Sequence, residues 1–415
     1  MNRPHIYTAI DIGSSAVRVV VAQKNPQAEE GGEVKILGVG RAPMSGMQKG
    51  VITDVEEAVA CLGTALDVAE RISGIPVEKA SVSVNGAHLV SQELRGVIAI
   101  SRADGEITSD DVDRVINAAQ AISLPPNREI LHILPQNYIV DGQEHIQDSI
   151  GMTGVRLEVE AHAIVGSSPA IKNLTKVVNQ SGVHIEEFVF APLAASLSVL
   201  EKRQKELGVV LIDLGAGTTS LAVYEENILL HTSVLPVGAS HITNDIAIGL
   251  RTSIDVAEAI KLSHGTATME GVSQHDMIVV EGQDGEQESI SRKEVAEIIS
   301  DRLDELFSHV DRELKNIGRS GLLPAGVILT GGGAYMDGIV ELAKKRLRLP
   351  VRIGHPKKMA GLSDQTDGPE FAVAIGLIAF ALEEEGKEVP HKSLSLPDIT
   401  GTVRKIKDWT KSFLP

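Results

Sequence analysis

Two short stretches carry the residue types that handle phosphate groups. Asp11-Ile12-Gly13-Ser14-Ser15 lies between two apolar runs, and Asp213-Leu214-Gly215-Ala216-Gly217-Thr218-Thr219 lies between Val209-Val210-Leu211-Ile212 and Ser220-Leu221-Ala222-Val223. Each predicts a strand ending in a carboxylate, a glycine that lets the backbone turn, and hydroxyl residues that open the return strand. A turn of this kind aims amides and hydroxyls at phosphate oxygens. Gly13, Ser14, Ser15, Gly215, Gly217, Thr218 and Thr219 are therefore phosphate-binding candidates together with the two aspartates. A carboxylate beside a polyphosphate repels it unless a cation intervenes, so Asp11 and Asp213 are also candidates for holding Mg2+ through its bound water. Asp-x-Gly alone is a common hairpin signal, and the weight comes from its recurrence about 200 residues later.

A third stretch, Val327-Ile328-Leu329-Thr330-Gly331-Gly332-Gly333-Ala334, reads as a strand running into a triple glycine and then a helix near Met336. Gly331, Gly332 and Gly333 would let a flat nucleoside come close to the backbone. A plain strand-to-helix turn has the same appearance. No Gly-Lys-Ser/Thr follows as in a Walker loop, and the run is not placed as a first-strand dinucleotide fingerprint.

The elements that must hold these turns follow from hydrophobic period and punctuation. Strands are predicted at 6–10, 16–22 and 34–39. A helix comes next, with Thr53 and Glu56 as a capping box, Val55, Val59, Leu62, Leu66 and Ala69 on one apolar face, and Gly74 as its stop. Residues 80–84 form another strand. From 85 to 163 the texture changes to short β-prone runs (96–100, 130–133, 137–140, 156–159) around one helix at 110–122, which predicts an inserted subdomain. Helical texture resumes at 169–179. A second insertion, 245–322, ends in a long helix opened by Ser291 and Glu294, whose buried face is Val295, Ile298, Ile299, Leu303, Leu306, Val310 and Leu314. An exposed acidic loop begins at Gly282, and the polar stretch 383–398, with two prolines, reads as a linker.

With 415 residues the chain is long enough for two to four folding units. Hydrophobic residues at 43% and charged residues at 23% are ordinary for a globular α/β protein, while 3% aromatics means aliphatic cores. A net charge of −17 repels nucleic-acid backbones and anionic lipid alike. It speaks against nucleic-acid binding and requires any membrane contact to be local. Cys61, the single cysteine, can form neither an internal disulfide nor a cysteine zinc site, which fits a reducing cytoplasm. The apolar run near the start is too short for a signal peptide, and no run reaches about 18 apolar residues, so the chain is expected to be neither secreted nor membrane-spanning.

Basic charge and an apolar stripe coincide at the end of the sequence. Set at about 100° per residue, Val403, Ile406, Trp409, Phe413 and Leu414 fall within roughly 140°, opposite Arg404, Lys405, Lys407, Asp408 and Lys411. From Gly401 onward there are four basic residues and one acidic, or +3, which leaves −17 minus 3, or −20, for the rest. Such a helix can dock on its own domain. The polar linker, the single tryptophan on the apolar face and the cationic flanks predict instead that it lies on an anionic membrane surface.

Two phosphate-type hairpins followed by a triple glycine resemble the actin, sugar-kinase and heat-shock chaperone superfamily. The resemblance implies an actin-like α/β fold, two related domains closing on ATP and Mg2+, with the hairpins on the phosphates and residues 331–333 along the adenosine. Over nearly its whole length the chain is similar to the FtsA family of actin-like bacterial division proteins. The carriers are Gly50-Val51-Ile52-Thr53-Asp54-Val55, Ser83-Val84-Asn85-Gly86, Leu134-Pro135-Gln136, Leu207-Gly208-Val209, Ala257-Glu258-Ala259-Ile260-Lys261 and Val373-Ala374-Ile375-Gly376-Leu377. The implied organisation is a first core domain (1–84, 164–206, 361–382) with an FtsA-type insert (85–163), and a second core domain (207–244, 323–360) with its own insert (245–322). A linker (383–400) and a membrane helix (401–415) complete it. Glu258 and Lys261 would lie by the nucleotide sugar, where they can hydrogen-bond, although an exposed ion pair at spacing three has the same signature. The implied partners are FtsZ filaments, further copies of the chain in a polymer, and other division proteins, at the cytoplasmic face of the membrane at the septum.

One departure bears on turnover. Hydrolysing relatives such as MreB and the heat-shock chaperones place a glutamate just before the proline that opens the connecting helix, where it orients water. Here Ala191 stands in Phe190-Ala191-Pro192-Leu193, so ATP binding with slow hydrolysis is expected, with Glu186 and Glu187 the nearby carboxylates that could substitute. Beside the division-scaffold reading stand a small-molecule kinase of the same superfamily, for which no general base is evident, and a pilus-assembly relative, from which the tail distinguishes it.

Overall fold

Ala16–Lys24 is buried at seven successive positions, so both of its faces must be covered by other layers. In the computed structural model, described over residues 5–25, 34–121, 125–273, 275–281 and 287–385, it lies within a six-stranded sheet. The order is His184–Phe190, Lys79–Val84, His5–Ile12, Ala16–Lys24, Val34–Pro43 and Ala360–Gly361. A second sheet has the order Val351–Ile353, Gly326–Thr330, Val209–Leu214, Thr219–Glu225 and Ile228–Leu235. Each begins with three parallel strands and continues with an antiparallel pair, and the central strand leads by a hairpin into the fourth. One topology is written twice. Both hairpin turns lie at the carboxyl end of a central strand, the usual ligand edge of an open α/β sheet.

Two helices that are apolar all round over most of their length cross one another, the first touching both sheets and the second lying on the six-stranded one. Ala191–Val199 is buried at every position, and Ala372–Glu385 crosses it where a Cβ on Gly376 would stand 1.8 Å from the Ala194 carbonyl oxygen. The second helix continues past 382 into the stretch expected to be linker. Its last carboxylate, Glu385, accepts hydrogen bonds from Tyr7 and Lys24 and pairs with His5.

The residues between Lys79–Val84 and the helix Ser168–Gln180 form a separate antiparallel sheet ordered Val90–Ala99, Arg156–Ser167, Arg128–Val140 and Gln143–Ile146. The helix Ser109–Gln120 packs closely on it because Gly96 has no side chain: a Cβ there would meet the Val115 carbonyl at 2.2 Å. The two short runs expected at 130–133 and 137–140 are one strand. Pro135 has no amide to give to the ladder, and the register shifts beside it, leaving Gln136 as the extra residue.

The helix Val55–Ser73 is capped one residue later than expected. Asp54, not Thr53, accepts from the Glu57 amide at 3.0 Å, because the Thr53 and Asp54 amides are both bound to the Gly46 carbonyl and hold Thr53 in the preceding loop. Gly74 ends this helix with φ of 69°. Arg292–Asn316 buries the expected face except Ile298, which is partly buried. The acidic loop at 282–286 and the tail from 386, including Val403, Arg404, Lys405, Ile406, Lys407, Trp409, Lys411, Phe413 and Leu414, lie outside the described residues. Among the described residues no helix is long and apolar enough to cross a membrane.

Candidate functional site: two hairpins and a triple glycine

The two turns close identically. The Gly13 amide donates to the Ala16 carbonyl at 3.1 Å and the Gly215 amide to the Thr218 carbonyl at 3.0 Å. Neither Gly13, Gly215 nor Gly217 has positive φ. What the last of these supplies is approach: a Cβ on Gly217 would stand 2.7 Å from the Ser14 hydroxyl and 3.0 Å from the Lys49 amide nitrogen. The glycines therefore let the two hairpins meet, rather than supplying unusual backbone angles.

With the glycine amides engaged in their own turns, Gly13 and Gly215 shape the loops. The amides of Ser14, Ser15, Ala216 and Gly217 make no hydrogen bond among the described residues and are the donors left for an anion. The Ser14 hydroxyl accepts from the Gly50 amide at 3.2 Å. Thr218 is buried in the second turn. Thr219 differs from expectation: it is fully buried and its hydroxyl donates to the Val237 carbonyl at 2.8 Å, bracing the hairpin from behind.

The carboxylates sit at the floor. Asp11 is buried, accepts from the Ser83 hydroxyl at 2.8 Å and faces the Arg18 guanidinium at 3.6 Å. Arg18 lies directly across the hairpin from Asp11, whereas the equivalent position opposite Asp213 is Ser220. Sequence reasoning passed over Arg18. Its guanidinium also stands 5.6 Å from the Phe371 ring centre, and its Nε is buried without a partner among the described residues. Burial raises the Asp11 carboxyl, opposed by Arg18 and Ser83. Asp213 is pushed up to about 7, first by burial and then by the charge of Asp11, with Arg18 opposing. Two carboxylates share one guanidinium, a deficit of positive charge that a hydrated Mg2+ would fit. Among the described residues no three metal-binding side chains converge, so an ion here would depend on water and phosphate oxygens for its remaining ligands.

The triple glycine reaches the same place. Gly331, with φ of 81°, comes so close that a Cβ would be 2.3 Å from the Asp213 Oδ1. Its amide donates to the Pro369 carbonyl at 3.1 Å. Gly333 rests on Leu214, where a Cβ would meet Cγ at 2.3 Å, and Gly332 opens to free space. A short 3-10 turn, Gly332–Tyr335, precedes the helix Ile339–Leu347, which starts later than the expected Met336.

Glu258 and Lys261 stand behind the second hairpin. The helix Ala239–Leu250 begins against that turn, with the Ala239 amide on the Gly215 carbonyl at 2.9 Å. Lys261 is buried, donates to the Thr243 hydroxyl at 2.9 Å and to Glu258 at 2.6 Å, and reaches the Ala239 carbonyl at 3.4 Å. The pair is thus a braced polar network, with the Glu258 side chain partly open to solvent. Glu186 and Glu187 are elsewhere: Glu186 pairs with Lys79, and Glu187 accepts from Ser81, whose register partner Ala9 precedes Asp11 by two residues. Ala191 is buried at the start of its helix.

The duplicated topology and the apposed hairpins define an actin-like protein. Solved structures agree on the fold: a PilM–PilN type IV pilus biogenesis complex has TM-score 0.65 at 17% identity, covering 90% of this chain and 98% of that one. MreB5 of Spiroplasma citri has TM-score 0.54 at 15% identity, covering 91% and 96%. Sequence comparison narrows the class. The family model for Cell division protein FtsA matches residues 210–376, and that for the SHS2 domain inserted in FtsA matches 86–165. Cell division protein FtsA of Neisseria meningitidis is 39% identical, covering 91% of both chains, that of Bacillus subtilis 38%, covering 94% and 88%, and that of Escherichia coli K12 32%, covering 98% and 97%. The chain belongs to the FtsA family of actin-like cell division proteins.

Proposed function

We propose that the chain binds Mg-ATP between its two hairpins, turns it over slowly, and self-assembles on the cytoplasmic membrane face at the division septum, where it tethers FtsZ filaments. The observation that carries the nucleotide part is the meeting of Gly217 with Ser14 beside the buried Asp11 and the half-buried Asp213. In this reading the free amides of both turns and Ser14 hold phosphate oxygens. Asp11 and Asp213 orient the water shell of Mg2+, which supplies charge neutralisation. Residues 331–333 flank the adenosine, and Glu258 with Lys261 the sugar. Spiroplasma citri MreB5, of the same fold, is bound to ADP in one structure and to AMPPNP in another. Slow turnover follows from Ala191, which cannot orient water, and from the engagement of Glu186 with Lys79 and of Glu187 with Ser81.

The membrane part rests on the amphipathic segment 401–415. Interfacial insertion of its five apolar side chains contributes about 5 kcal/mol, with about 1 kcal/mol per basic residue on anionic lipid, less the cost of ordering the helix. One copy holds weakly, and a polymer holds by avidity. Co-sedimentation with anionic vesicles, FtsZ and ATP, with and without residues 401–415, tests the whole. ATP-dependent pelleting of FtsZ that requires the tail is expected; equal pelleting by the truncated chain would overturn the tether.

A further inference from the structure

Neither phosphate-type turn carries a cation of its own: residues 11–15 and 213–219 contain no Lys or Arg. Arg18 faces Asp11, and Lys261 is held by Glu258 and Thr243. A polyphosphate brought between two carboxylates therefore calls for positive charge from another element. Met47–Gln48 and Val51–Ile52 form a small hairpin, and its turn residues, Lys49 and Gly50, stand where the two larger hairpins meet.

The contacts place this third turn closely. The Gly50 amide donates to the Ser14 hydroxyl at 3.2 Å, and the Lys49 amide nitrogen is the atom that a Cβ on Gly217 would approach to 3.0 Å. From behind, the Ala87 amide donates to the Lys49 carbonyl at 3.3 Å, and a Cβ on Gly50 would stand 2.4 Å from the Gly86 Cα. The turn is thus wedged between the first hairpin, the second hairpin and the entry to the insert. Lys49 is exposed, and its amide and ammonium form no hydrogen bond or ion pair among the described residues. Its residue type is not explained by the turn. Lys49 has φ of 49° and Gly50 of 76°, left-handed at both positions, as a two-residue hairpin turn requires. Asparagine or glycine fills the first of these places at least cost, and a lysine there is strained.

We infer, on the nucleotide reading of the two hairpins, that Lys49 is a ligand of the terminal phosphate, so that the site holds a nucleoside triphosphate more tightly than the diphosphate. The choice of the terminal group follows from which parts of the second hairpin are touched. Gly331 and Gly333 lie against Asp213 and Leu214 at its base, whereas Lys49 meets Gly217 at its tip. A nucleotide with its adenosine at the triple glycine presents the far end of its phosphate chain to Lys49. The free amide is fixed by the wedged backbone, and the flexible four-carbon stem lets the ammonium close on an oxygen beside it.

The test is calorimetric titration of the full chain with Mg-AMPPNP, a triphosphate that resists hydrolysis, and with Mg-ADP. Wild type should prefer the triphosphate. Lys49→Asn suits the left-handed backbone and removes the charge. It is expected to weaken Mg-AMPPNP about tenfold or more and Mg-ADP less than about threefold, without lowering the unfolding midpoint of the nucleotide-free chain. Lys49→Arg keeps the charge and should retain most of the preference. Equal affinity of wild type for the two nucleotides, or an equal effect of Lys49→Asn on both, none included, overturns the role of Lys49 and leaves the nucleotide reading intact. So does a loss in Lys49→Arg as large as in Lys49→Asn, which would mean that the shape of the turn is read and not its charge. Wild type that binds neither nucleotide overturns the nucleotide reading, and Lys49 with it.

Discussion

Ionising Asp213 costs the fold free energy. Its folded value near 7, against an ordinary 3.8, means that the native state keeps the proton longer than the unfolded chain does. Stability contributed by the protonated carboxyl is therefore lost as pH rises from about 4 through 7, on the order of 2–4 kcal/mol at pH 8. Asp213→Asn should raise the unfolding midpoint of the nucleotide-free protein, more at pH 8 than at pH 5, and should remove the added stability that Mg-ATP confers on wild type. Equal gains at both pH values, or an undiminished Mg-ATP shift, would count against this account. Removing the guanidinium by Arg18→Met leaves Asp11 buried with only Ser83, and a loss of about 3 kcal/mol is expected in urea titrations at pH 8. The carboxylates and glycines were legible in the sequence because their spacing within one turn is local. Arg18 was not: it meets Asp11 only through the cross-strand register, which depends on how many residues the turn takes up. Ser220 at the equivalent place instead pairs with Asn85 at 2.9 Å and 3.0 Å.

Elements with an amphipathic period declared themselves, and those buried all round did not. Val55–Ser73 and Arg292–Asn316 show the helical stripe that a core-facing helix requires. Ala191–Val199 is buried at every position and Ala372–Glu385 at eight of its first nine, so period carries no signal there; the first was marked only by the resemblance, at the proline that opens it, and Val373-Ala374-Ile375-Gly376-Leu377 only as a family-like run. The crossing of these helices depends on Gly376. A side chain at 1.8 Å from the Ala194 carbonyl cannot be housed by a rotamer change, because the obstacle is backbone. Gly376→Val should cost on the order of 3 kcal/mol or more in thermal or urea unfolding, with Gly376→Ala milder, by prying the helices apart. The inserted sheet was harder to delimit. The runs at 130–133 and 137–140 are fragments of one strand, Arg128–Val140, interrupted by a bulge beside Pro135, and 156–159 is only the start of the longer Arg156–Ser167. That bulge has a use: Gln136, freed from the ladder, donates to the Leu229 carbonyl at 2.7 Å and ties the insert to the second domain.

Across the whole molecule, the insert bridges the two domains by a seam of polar contacts on Ile228–Leu235. Besides Gln136, the Ser91 hydroxyl donates to the Thr232 carbonyl at 3.2 Å, and the His162 ring meets the Thr232 hydroxyl at 3.1 Å. His162 is buried, and burial, with the neighbouring His231 adding, lowers it to about 4. His231 is itself hydrogen-bonded to Glu313 at 3.0 Å. The sign follows from which state binds the proton. Below an ordinary histidine value of 6.5 the unfolded chain takes up a proton that the neutral, buried ring resists down to about 4, so stability falls as pH drops through that window. The loss at pH 5 is about 2 kcal/mol per such histidine. His132, buried with its Nε2 accepting from the Phe190 amide at 2.9 Å and likewise lowered to about 4, contributes a second increment at the base of the connecting helix. His162→Gln keeps a polar partner for Thr232 but cannot titrate. Urea titrations at pH 7 and pH 5 should therefore show the variant losing about 2 kcal/mol less than wild type between the two conditions. An identical loss would mean that the seam opens locally and lets His162 protonate without unfolding. Faster amide exchange at 228–235 in wild type at pH 5 would then mark the place, and the insert would be held to the second domain only near neutral pH.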